Sequence, residues 1–182
     1  MRILIDTCVL YPTVMREVLV GVAEQGVFTP LWSERILEEW ARAAVKLGPT
    51  GEAQARAEIA LLRARFPKSE VDVSTRTVAR LWLPDADDIH VLAAAVCGNA
   101  DSIMTLNAKD FPRNLLAEED LLRVDPDSYL MMVWQNHPDV VEGVAQSVLS
   151  TANRMSGTAW ELRALLKKAR LPRLAKALTQ VS

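Results

Sequence analysis

Arg2-Ile3-Leu4-Ile5-Asp6-Thr7 is a short β-rich run that stops at a carboxylate. Read as an opening core strand, it places Asp6 at the strand's C-terminal end, where an unpaired carboxylate would be costly to bury. Thr7, Tyr11 and Pro12 form the turn after it. Val14, Val18, Val22 and Ala23 then recur with helical spacing until Gly26. Val27 to Thr29 is a second strand ending at Pro30, and Ser33 is an N-cap for a helix carrying Ile36, Leu37, Trp40 and Val45, ended near Gly48. Glu52 to Arg65 is an Ala-rich helix with an expected buried stripe of Ala53, Ala57, Ala60, Leu61 and Ala64. Val71 to Val73 is a brief strand candidate. Pro84 and Asp85 open a helix that runs to Gly98. Ser102 to Leu106 is a strand, Asn107 to Pro112 a polar loop, and Leu121 to Val124 the last strand candidate. From Pro126 the pattern is helical, with breaks at Pro138, around Gly157 and at Pro172. Short strands alternating with helices predict a three-layer α/β/α fold, its central sheet mainly parallel and covered on both faces, with a C-terminal helical extension.

The composition suits such a core. Half of the 182 residues are hydrophobic, and Gly and Pro are scattered, which argues against disorder. No apolar run reaches the length of a bilayer span, and the opening run meets Asp6 too early for a signal peptide. A cytoplasmic protein with no membrane partner is the expectation. Cys8 and Cys97 make no secretory framework, and each reads as a small buried hydrophobe. The charge is lopsided. Arg154, Arg163, Lys167, Lys168, Arg170, Arg173 and Lys176 face only Glu161 after position 153, a net of +6 that leaves −8 for the rest of a chain totalling −2. An acidic body with a basic tail suits a metal site plus a separate surface for phosphates; ordinary solvated helix faces are the alternative.

In an open parallel sheet, ligands gather outside the carboxyl ends of the strands. Asp6 falls there, as do Asn107 and Asp110 after the strand at Ile103. Asp85, Asp87 and Asp88 open the intervening helix, and Glu38 and Glu39 lie inside the helix capped by Ser33. Separated acids converging on one pocket are what a hard cation such as Mg²⁺ requires. Each acid also has a plainer reading. Asp6 can serve a turn, Asp85, Asp87 and Asp88 can complement a helix dipole, and the adjacent Glu38 and Glu39 point about 100° apart, so that one is simply solvated. His90, flanked by Val91 and Leu92, reads as a packed or supporting group more than a base, and His137 as a loop residue. No Cys/His spacing resembles a zinc site, and no glycine-rich loop resembles a nucleotide cradle.

Ile3 to Thr7, Pro84 to Ala95 and Thr105 to Pro112, together with Ser33 to Trp40, resemble the PIN domain in order and spacing over roughly Met1 to Asp125. The chain is most similar to the PIN-fold toxins of bacterial type II toxin–antitoxin pairs. The resemblance implies a Mg²⁺- or Mn²⁺-dependent endoribonuclease on a flavodoxin-like sheet, with residues 1–125 as the nuclease domain and 126–182 as a helical extension packed on it. It also implies an RNA substrate, a small antitoxin partner and a homodimer. The family's first acid matches Asp6, its second Glu39 rather than Glu38, and its third Asp88, with Asp85 a frequent companion. Its fourth falls on Asn107, which adds no negative charge; Asp110, three residues on, is the candidate replacement. In this reading Asp6, Asp88, Glu39 and Asp110 are the metal ligands. Asp6, Glu39, Asp88 and Asn107 are the catalytic set, with Thr7 and Thr105 supporting. Lys167, Lys168, Arg170 and Arg173 are the candidate phosphate contacts. Two rival readings stand beside it: a PIN-fold RNA-binding or protein-interaction module weakened by Asn107, and a phosphatase or phosphotransferase using Asp6.

Overall fold

The computed structural model describes residues 1–180. In chain order the elements are β1 (Arg2–Ile5), α1 (Thr7–Leu10), α2 (Thr13–Glu24), β2 (Thr29–Leu31), α3 (Glu34–Ala43), α4 (Gly51–Arg65), α5 (Thr75–Arg80), α6 (Ile89–Cys97), β3 (Ser102–Met104), α7 (Arg113–Ala117), β4 (Leu122–Val124), α8 (Pro126–Asn136), α9 (Pro138–Ser156), α10 (Leu162–Lys168) and α11 (Pro172–Ala177). The fold is three-layer α/β/α with a parallel central sheet, and helices follow the last strand. The chain forms two compact units, one of Met1–Tyr11 with Thr29–Val124, the other of Pro12–Phe28 with the chain from Asp125 onward.

The first unit holds the sheet, in the order β2-β1-β3-β4, every pairing parallel. Ile3, Leu4 and Ile5 are fully buried, as expected of a central parallel strand covered on both faces. The chain steps from β1 to β2 on one side and then returns to β3 on the other, so the strand order reverses between β1 and β3. That is the position at which open α/β sheets place ligands. Ile5 is in register with Met104, so Asp6 and Thr105 emerge side by side at the carboxyl ends.

Several expectations need correction. The second strand lies two residues later than its sequence pattern suggested, and includes Pro30. Proline is tolerated there because β2 is an edge strand. The strand expected at 71–73 does not form; a single bridge between Trp32 and Glu70, just before it, is all that lies beside β2 there. α3 gives way at Ala44 to a 3₁₀ turn, leaving Val45 55% exposed. The helix opened by Pro84 is split, with a 3₁₀ turn at Ala86–Asp88 before α6. The stripe expected on α4 is the wrong face: Leu61 is 65% exposed, while Gly51, Ala55, Ile59 and Leu62 are buried. Alanine discriminates weakly between faces, so the longer Ile59 and Leu62 set the orientation.

The second unit is helical. α2 packs on α9, and a Cβ at Gly21 would come within 2.7 Å of Val144 Cγ1, so the missing side chain permits that approach. Residues 12–28 thus join the C-terminal helices as one unit. Phe28 meets Tyr129 edge-on at 5.4 Å. Asp125 caps α8 by accepting from Ser128 N at 2.9 Å, and α9 ends on Gly157 in the left-handed conformation. No helix of the described residues is long and apolar enough to cross a membrane.

Candidate metal centre

Asp6 is 7% exposed, and its carbonyl, not its carboxylate, closes the first turn of α1 through Val9 N and Leu10 N. The carboxylate is therefore not spent on a cap. Its Oδ2 accepts from Thr105 Oγ1 at 2.7 Å and from Cys8 Sγ at 3.0 Å. Thr105 Oγ1 in turn accepts from Asn107 N at 3.0 Å, and Cys8 Sγ accepts from Leu106 N at 3.3 Å. Burial, then the negative charge of Asp6, push the Cys8 thiol up to about 12, which keeps it a protonated donor. Cys8 is thus half-buried and tied into the polar cluster, not the inert hydrophobe its neighbours suggested.

A second cluster forms where the 3₁₀ turn before α6 meets the 107–112 loop. One carboxylate oxygen from each of Asp85, Asp88 and Asp110 lies within 4.8 Å of the others. Asp85 caps the 3₁₀ turn by accepting from Asp87 N at 2.9 Å, whereas the Asp88 side chain makes no cap bond. Burial raises the Asp88 pKa to about 6, and the charges of Asp6, Asp85 and Asp110 push it the same way. Carboxylates held this close oppose one another's ionisation. A hard divalent cation relieves that repulsion and takes oxygen donors of this kind, so the residues present fit Mg²⁺ or Mn²⁺.

The loop supplying Asp110 is pinned from β4. Arg123 Nη1 donates to Ala108 O at 2.5 Å and to Phe111 O at 2.8 Å. Asn107 does not stand alone, because its amide nitrogen donates to Asp110 Oδ2. Asn107 therefore orients the neighbouring carboxylate, and Asp110 brings negative charge to the cluster where Asn107 itself has none.

Glu38 and Glu39 separate cleanly. Glu38 accepts from Arg42 and Arg56 at 2.9 Å each, which holds its pKa down to about 2, in a cleft also lined by Glu34, Leu37, Ile59 and Arg63. Glu39 turns the other way. Its Oε2 accepts from Thr7 Oγ1 at 3.1 Å, and its Oε1 lies 2.9 Å from His90 Nε2 and 3.2 Å from Arg35 Nε. Burial opposes ionisation of Glu39, but the bonds from His90, Arg35 and Thr7 outweigh it and lower the pKa. Asp6 and Glu39 lie outside the trio of mutually close acids.

Sequence reasoning missed Cys8, Arg35 and Arg123. Only Arg35 left a trace, four residues before Glu39 at ion-pair spacing. The basic residues lie in the second unit. Lys167, Lys168 and Arg170 are exposed, Lys168 Nζ stands 4.7 Å from the centre of the Trp160 ring, and Arg173 Nη1 donates to Ser128 Oγ at 2.8 Å.

No curated protein and no solved structure gave a match to the chain. The PIN domain profile matches residues 2–109, which takes in β1, the Ser33-capped helix, the Asp85–Asp88 turn and Asn107. That is more than half of the 182 residues, and the chain belongs to the PIN domain family.

Proposed function

We propose that this PIN domain protein is a Mg²⁺- or Mn²⁺-dependent endoribonuclease, the toxin half of a toxin–antitoxin pair restrained by a small partner protein. The observation that carries the reading is the approach of Asp85, Asp88 and Asp110 to within 4.8 Å, with Asp6 electrostatically coupled to Asp88. In this proposal Asp6 and Asp88 hold the ion and Asp85 and Asp110 complete its surroundings. Glu39 orients the attacking water, and Thr105 fixes Asp6. A bound ion would supply charge that lowers the pKa of that water and stabilises the leaving oxygen. Exposed Lys167, Lys168 and Arg170 contact RNA phosphates in the second unit. Neutralising them should weaken RNA binding and flatten its dependence on salt. The homodimer and cytoplasmic site of action belong to the same proposal.

The test is cleavage of labelled single-stranded RNA by the purified chain in Mn²⁺. Loss of cleavage in excess EDTA and in Asp88→Asn supports the reading; cleavage that survives both refutes it. A second reading, a PIN-fold module weakened as a nuclease, is favoured by the neutral Asn107 amide bonded to Asp110. RNA binding without cleavage, and without Mn²⁺ binding, would select it.

A further inference from the structure

His90 is 6% exposed, in the first turn of α6. Its Nε2 lies 2.9 Å from Glu39 Oε1, while its Nδ1 is buried with no hydrogen-bond partner among the described residues. A buried imidazole with an orphaned nitrogen is a poor choice for packing alone, since a leucine would fill the space with no polar atom to desolvate. The single bond the ring does make goes to the carboxylate that also takes Thr7 and Arg35. Two oxygens held from three elements leave Glu39 little rotational freedom. Arg35 and Glu39 are both partly exposed, so the His90 bond is the member of the set best shielded from water.

We propose that His90 is a positioning residue that sets the orientation of Glu39 beside the candidate metal centre, by donation from Nε2. The inference rests on the reading of Glu39 as part of a nuclease site. Groups that orient metal ligands or water-handling carboxylates typically change affinity or rate by about 10–100-fold when removed.

The experiment compares wild type, His90→Leu, His90→Gln and Glu39→Gln, alone and combined, each first checked for a cooperative melt. Mn²⁺ affinity by calorimetry and RNA cleavage are read together, with the ring nitrogens of metal-free protein observed by ¹⁵N NMR. We expect an Nε2–H signal that moves in Glu39→Gln. His90→Leu should weaken Mn²⁺ binding or kcat by about tenfold or more with KM little changed, and His90→Gln, which keeps a donor, should recover most of it. In the Glu39→Gln background, His90→Leu should add nothing. A fully active His90→Leu, a folded His90→Gln as impaired as the leucine, or additive effects would overturn the inference. If wild type is inert toward RNA, the ribonuclease reading fails instead, and the NMR and Mn²⁺ readings still decide His90.

Discussion

Thr105 Oγ1 donates a 2.7 Å hydrogen bond to Asp6 Oδ2 across 99 residues of sequence, joining the carboxyl ends of β1 and β3. Both side chains are nearly inaccessible, so the bond satisfies a carboxylate that the fold has taken out of water. We expect Thr105→Val to cost about 1–3 kcal/mol of unfolding free energy, because it leaves that oxygen short of a donor. Thr105→Ser should cost much less. Urea unfolding of the three proteins decides it, and a valine variant as stable as wild type would show that the bond is not needed.

Asp88 gives the site a pH signature of defined sign. Its folded-state pKa stands at about 6, above the ordinary 3.8, through burial and the neighbouring acids. Its contribution is therefore most favourable below about pH 4 and is lost as pH rises through 6. Without divalent ions, the melting temperature of wild type relative to Asp88→Asn should fall across that window. Mn²⁺ should reverse the trend above pH 6, since the ionised cluster binds it best. A difference that stays flat, or rises, across that window without metal would refute the assignment.

The two adjacent glutamates should behave differently. Glu39→Gln is expected to lower cleavage by tenfold or more, in line with losses at groups that orient a metal site. Glu38→Gln, which only releases Arg42 and Arg56 at the surface, should leave cleavage unchanged. Steady-state kinetics on the two variants separates them, and equal losses would contradict the placement of Glu39.

In the second unit, Asp127 is buried and accepts from Arg173 N at 2.8 Å and Leu174 N at 3.0 Å, closing the start of α11 from a distant helix. We expect Asp127→Ala to destabilise the chain by about 1–3 kcal/mol in urea unfolding, with Asp127→Asn milder because its amide oxygen still accepts. An alanine variant that unfolds with wild type would show that the cap is dispensable.

How far these features could be read in advance depends on whether neighbours in sequence or in space decide them. The apolar run Ile3–Ile5 ending in a carboxylate signals a buried strand with Asp6 at its carboxyl end, because burial on both faces leaves no alternation to misread. The acids at 85–88 were equally visible, since three carboxylates in one turn exceed what a cap needs. The choice of Glu39 over Glu38 rests on family resemblance; what the structure shows is that the two face different partners, Glu38 meeting Arg56 and Glu39 meeting His90, 18 and 51 positions away. The buried face of α4 is not legible in its sequence, because alanines are nearly indifferent to burial and its adjacent leucines fall on opposite faces, Leu61 exposed and Leu62 buried. The Cys8 bond to Asp6 left no signal, since it depends on where the turn after β1 aims two side chains.

The most direct measurement is an anomalous difference map from crystals of the chain grown in Mn²⁺. We expect a peak bonded to Asp88 Oδ at about 2.1–2.3 Å, between the Mg²⁺ and Ca²⁺ distances to oxygen ligands, with Asp85, Asp110 and Asp6 around it, and its absence in Asp88→Asn. A map with no peak at this cluster, under conditions where the protein cleaves RNA, would contradict the account.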